Sequence, residues 1–163
     1  MLIPGLLFAG LYLLDHSSPV SATELRSAVV DIALQEYRAY PDGSRSDEYW
    51  RVSGLTPPYP ADWCGGYVLW ALRTAGLIVP SWVPGTGFIW PARLPVTADP
   101  KPGDIFYQDQ PYQHYGIVTA VDVVAVSTVE GNQPGIEIKT HRLGHPGQEY
   151  FSIRPLIDRT ING

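Results

Sequence analysis

GDIFYQDQPYQHYGIVTAVDVVAVSTVEGNQPGIEIKTHRLGHPGQEYFSIR, residues 103–154, breaks into short runs of β-branched and aromatic residues separated by Gly, Pro, Asp and Asn. GDIFYQ, HYGIVTAVD, VVAVSTVEG, GIEIKTH and EYFSIRPL each have the length and composition of a strand. Upstream, the period changes. TELRSAVVDIALQEYRAY places Leu25, Val29, Ile32 and Ala33 at helical spacing, with Thr23 as the expected cap and Pro41-Asp42-Gly43 as the stop. CGGYVLWALRTAG, residues 64–76, repeats the pattern at Val68, Leu69, Leu72 and Ala75, and Gly76 ends it. Two helices followed by strands, rather than strands alternating with helices, predict an α+β fold with an antiparallel sheet.

Between these elements the chain is irregular. Residues 41–62 are rich in Pro, Gly, Ser and Asp, and residues 79–103 hold six prolines, so both read as loops. The whole chain, 163 residues long, is short enough to be one domain. Its charged fraction of 17% against 45% hydrophobic excludes a disordered chain. A net charge of −5 without a basic cluster gives no footprint for nucleic acid, and none is expected as a partner.

The amino terminus stands apart. Leu2–Leu14 is an apolar run too short to span a bilayer, and Val20-Ser21-Ala22 offers small residues to a signal peptidase. Residues 1–22 are therefore expected to be a leader, either a secretory signal or a retained anchor or arm, with one domain over 23–163. Any membrane contact would run through residues 2–14.

Cys64 is the one cysteine, which rules out an intrachain disulfide and cysteine-rich zinc sites. It follows Asp62-Trp63 at a helix start, where the dipole and unpaired N–H groups favour thiolate. Gly65 and Gly66 would let a substrate backbone approach. The alternative is a small buried hydrophobe. A nucleophilic cysteine needs a base. His114 opens a strand and suits the role, whereas His141 and His145 read as solvated turn residues and His16 lies in the leader. In VSTVEGNQ, strand alternation puts Glu130 and Asn132 on one side, where either could accept His114 Nδ1–H; the alternative is plain turn chemistry. Glu130 is favoured, since a carboxylate stabilises imidazolium more than an amide does. Asn132 would then polarise an oxyanion or hold Glu130. All four are expected in one cluster open to solvent. Asp104 reads as a turn residue and Asp62 as a helix cap. Of the aromatic residues Trp50, Tyr59, Trp63, Trp70, Trp82, Trp90, Tyr112 and Tyr115, Trp63 is the expected groove wall, with Tyr115 also at the substrate, and Trp70 is expected in the core.

PADWCGGYVLWALRTAGL, KPGDIFYQ, QHYGIVTAV and VSTVEGNQ, in that order, resemble the CHAP family of cysteine- and histidine-dependent amidohydrolases/peptidases, a branch of the papain-like superfamily that includes NlpC-type enzymes. The resemblance covers about residues 23–158. It implies N-terminal helices packed on a five- to six-stranded antiparallel sheet, and cleavage of an amide bond in peptidoglycan through a thioester. It carries the nucleophile onto Cys64, the base onto His114 and the orienting role onto Glu130 with Asn132. The expected substrate is a stem or cross-bridge peptide, met outside the cytoplasm or from a virion. Gly65-Gly66 and Tyr115-Gly116 depart from the family's commoner Ala-containing and Val-Gly pairs. The Asp-rich calcium loop of some members has no counterpart, so no metal or other cofactor is expected. Two other outcomes fit the same pattern: a non-enzymatic module of a virion or cell surface, and an acyltransferase on the same site.

Overall fold

A computed structural model describes residues 20–59, 61–80 and 94–163. Among them are four helices, α1 (Ala22–Ala39), α2 (Ser46–Val52), α3 (Cys64–Thr74) and α4 (Arg154–Asn162). Five strands complete the fold: β1 (Ile105–Gln108), β2 (His114–Val121), β3 (Ala125–Glu130), β4 (Glu137–Arg142) and β5 (Gln148–Phe151). They form one antiparallel sheet in the order β4-β3-β2-β1-β5. This is the α+β, papain-like arrangement expected of the sequence. Most of the leader (residues 1–19), Trp82 and Trp90 lie outside the described residues. Among the described residues no helix is long and apolar enough to cross a membrane.

Helix α1 starts earlier than the Thr23 cap predicts. Ser21 caps it instead: its hydroxyl accepts from Glu24 N–H while the Glu24 carboxylate accepts from Ser21 N–H, a reciprocal box that satisfies two donors. Leu25, Val29 and Ala33 are the face it buries. Helix α2 corrects the reading of residues 41–62 as loop throughout. Its seven residues are too few to hold a helix on their own. Tertiary burial does so: Trp50 and Tyr49 are at most 2% exposed, each worth roughly 2–3 kcal/mol in removed apolar surface. Tyr49 Oη donates to Glu36 Oε1 at 3.0 Å and Arg45 pairs with Glu36 Oε2 at 3.0 Å, tying α2 to α1.

Helix α3 is the buried centre of the molecule, with every residue from Cys64 to Leu72 inside. Tyr67 donates to Ala33 O at 2.7 Å, and Gly66 is the spot where α3 meets the Trp50 ring, since a Cβ there would fall 3.0 Å from it. The core then runs from α1 and α3 to Ile105, Tyr115, Ile117 and Val129 on one face of the sheet. The other face carries a smaller apolar group of Phe106, Val118, Val126 and Tyr150. EYFSIRPL, expected as one strand, divides. Strand β5 ends at Phe151, and α4 begins at Arg154 with Pro155 in its first turn, where a missing N–H costs nothing.

Candidate active site

Strand β2 begins at His114 and β3 ends at Glu130, so both lie at one end of the sheet. Register sets their faces: Gly116 pairs with Glu130, and His114, two residues before Gly116, shares its side. Because Gly116 has no side chain, Glu130 reaches across it, and Glu130 Oε2 accepts from His114 Nε2–H at 3.0 Å. The orienting bond therefore uses Nε2, not the Nδ1 expected from sequence.

Cys64 is the first residue of α3, and no acidic side chain in that first turn offsets the positive end of the helix dipole. Its sulfur stands beside the His114 ring, where hydrogen bonding and charge both favour imidazolium. With Nε2 committed to Glu130, Nδ1 is the nitrogen left for the sulfur. Burial pushes the His114 imidazole down, but Cys64 and Glu130 outweigh it and hold the group at about 9. Burial likewise pushes Glu130 up, and hydrogen bonds from His114, His141 and Thr128 outweigh that and hold its carboxyl at about 2. At neutral pH the pair is ionised, imidazolium against carboxylate.

The cluster is less open than expected. Cys64 is 6% exposed, His114 2% and Glu130 1%. Nor does Asn132 join it. Strand β3 ends before Asn132, which sits in the left-handed region at φ +66°, so alternation does not extend to it. Its amide donates to Asp62 Oδ1 at 3.4 Å, tying the turn after β3 to the segment before α3. Asp62 accepts that bond in place of the capping role expected of it, and α3 has no side-chain cap.

Three expected substrate contacts are interior residues. Trp63 is 7% exposed because its indole fills the space left by Gly43 and Gly131, where a Cβ would fall 2.6 and 2.5 Å from the ring. Tyr115 packs on Tyr107 at 5.1 Å between ring centroids, on the helix-facing side of the sheet, and burial pushes its phenol up. Gly65 is buried within α3. Of the other aromatic candidates, Trp50 and Trp70 are core and Tyr59 packs partly against it. Tyr112 is the exposed one, and it meets His114 edge-on at 6.3 Å. An open groove of about 550 Å³ runs past Tyr37, Asp42 and Ile138, and none of Cys64, His114 or Glu130 lines it.

Two residues at the site were not anticipated. Gln133 places its amide nitrogen 2.8 Å from His114 Nε2 and 3.3 Å from Nδ1, distances that put it over the face of the ring, while Lys139 Nζ donates to Gln133 Oε1 at 2.6 Å. His141, expected in solvent, lies within β4 with its Nε2 2.5 Å from Glu130 Oε1. His145 is exposed, as expected.

The CHAP domain model matches residues 56–132, which span the start of α3, His114 and Glu130. Searches of curated proteins and of solved structures found no match to the chain.

Proposed function

We propose that the protein is a cysteine-dependent peptidoglycan hydrolase that cleaves an amide bond through a thioester, a reading supported by the match of residues 56–132 to the CHAP domain model. The observation that carries this reading is the buried imidazole held at about 9 between the Cys64 sulfur and the Glu130 carboxylate. A structural histidine has no need of a thiol on one side and a carboxylate on the other.

In this reading the Cys64 thiolate attacks the substrate carbonyl. The oxyanion is met by backbone N–H groups at the start of α3, each donor worth about 3 kcal/mol. His114, as imidazolium, gives its proton to the leaving amine as the C–N bond breaks and the thioester remains. Water then gives a proton back to His114 and adds to the thioester, and sulfur leaves as thiolate. Glu130 keeps the ring aimed and its charge compensated throughout. The substrate is a stem or cross-bridge peptide, which lies outside the cytoplasm, so the reading carries with it an exported or virion-borne protein.

Cys64→Ala and His114→Ala are each expected to lower lysis of purified peptidoglycan by at least about a thousandfold while keeping the wild-type circular dichroism spectrum. Mass spectrometry of the digest identifies the bond. Lysis should also decline above about pH 9, as His114 gives up the proton that the leaving amine requires. Retained lysis in either variant overturns the proposal.

A further inference from the structure

The chemistry above uses Cys64, His114 and Glu130, and leaves one nearby imidazole without a task. His141 projects from β4 with its side chain 12% exposed. Its Nε2 meets Glu130 Oε1, the carboxylate oxygen that His114 does not touch, at 2.5 Å, and lies 3.1 Å from Thr128 Oγ1. On β5, the Gln148 amide nitrogen donates to His141 Nδ1 at 3.2 Å. That bond makes Nδ1 an acceptor and leaves the ring proton on Nε2, pointing at Glu130. On β1, Phe106 stacks on the ring at 4.1 Å between centroids and 21° between planes. Side chains from β1, β3 and β5 thus hold this histidine in one place and one tautomer.

A buried carboxylate stays ionised only if its oxygens are hydrogen-bonded, and it pivots about its last torsion unless both are held. Thr128 donates to Oε1 from within β3 at 2.5 Å, and His141 holds the same oxygen from the neighbouring strand. We propose that His141 is a positioning residue: by donating to Glu130 Oε1 it locks the carboxylate as an anion with Oε2 facing His114 Nε2, and so fixes the imidazole against Cys64. Its consequence for turnover rests on the hydrolase reading; its effect on Cys64 reactivity does not.

The titratable and charged groups on this face are His114 of β2, Glu130 of β3, Glu137 and Lys139 of β4 and Tyr150 of β5, while β1 presents Phe106 and Gln108. Lys139 is turned to Gln133 at 2.6 Å and Glu137 at 3.8 Å. Among the described residues, the two histidines and Thr128 are the side chains bonded to the Glu130 carboxylate. Removing one donor makes that anion less favourable, so its proton is taken up at higher pH.

His141→Phe keeps the stack on Phe106 and deletes the donor, and His141→Gln restores a neutral N–H near the same point. Alkylation of Cys64 by iodoacetamide is followed by mass against pH in all three proteins, beside lysis of purified peptidoglycan. His141→Phe is expected to move the acid limb of both profiles up by about one pH unit and, because Glu130 Oε2 is then less firmly aimed at His114, to slow lysis about tenfold on the neutral plateau as well, with His141→Gln recovering most of each. A packing role alone lowers the melting temperature and leaves the acid limb in place; that result, or three identical profiles, overturns the proposal. If His141→Phe does not fold, the ring ¹⁵N spectrum of the wild type decides. A His141 protonated at Nε2 and bare at Nδ1 supports the proposal, and the opposite tautomer overturns it. A shifted alkylation limb in a protein that cleaves no peptidoglycan would sink the hydrolase reading and leave the positioning role standing.

Discussion

Against burial, His114 is held in the charged state by Cys64 and Glu130, and Glu130 by His114, His141 and Thr128, and the consequence is a pH window. The imidazole is raised from an ordinary 6.5 to about 9. Its contribution to stability is therefore complete below about 6.5 and lost as pH rises through about 9. The carboxyl is lowered from 4.5 to about 2, so its contribution is complete above about 4.5 and lost as pH falls through about 2. Both contributions are whole between about pH 4.5 and 6.5, where the melting temperature should be highest on their account. Glu130→Gln removes the carboxylate and should flatten the acid side of the curve while also weakening the alkaline fall. A variant whose melting temperature follows pH as the wild type does would show that the pair does not titrate this way.

At the scale of the element, the active site is a product of how β2 pairs with β3. Gly116 faces Glu130 across the ladder, and a Cβ there would lie 2.7 Å from Glu130 Cγ and 3.2 Å from Val129 O. Gly116→Ala must push the carboxylate off its line to His114. The expected cost is about 1–3 kcal/mol of stability from overpacking and at least a tenfold loss of lysis, read from thermal melts and digestion rates. Full activity with an unchanged melt would mean that Glu130 does not need this path. The same pairing explains what was legible in the sequence. A cysteine at a helix start, a histidine at a strand start and an acid at a strand end are local signals, and each element formed where its period placed it. Asn132 was not legible, because the last residue of a strand is fixed by its partner's length and not by its own alternation. His141 was hidden for a related reason: HRLGHPG has turn composition, yet β4 runs on to Arg142 because β3 offers a partner as far as Ala125.

For the whole molecule, periodicity revealed α1, α3 and the five strands, while α2 and α4 depend on tertiary burial that a local window does not contain. Asp104 shows the same limit. Its Pro-Gly-Asp context reads as a turn, and a turn is there, but the carboxylate is 1% exposed and joins two distant parts of the chain to its own turn. Arg26 of α1 reaches Oδ1 at 2.7 Å, Ile153 N–H just before α4 donates to the same oxygen at 3.0 Å, and Lys101 N–H donates to Oδ2 at 2.8 Å. Asp104→Ala would leave the buried Ile153 donor without a partner and take the carboxylate from the largely shielded Arg26 guanidinium, which keeps its 3.1 Å bond to Pro102 O. Such losses cost about 2–4 kcal/mol, far more than an exposed pair contributes. The exposed Arg154–Asp158 pair, at 2.6 Å, supplies the comparison: its short distance is matched by side chains 64% and 47% exposed. Asp158→Ala should therefore move stability by no more than about 0.5 kcal/mol. Urea midpoints of the two variants separate the cases. Equal midpoints would mean that Asp104 is the simple turn residue its sequence suggests, and that something else fastens α1 and α4 to the sheet.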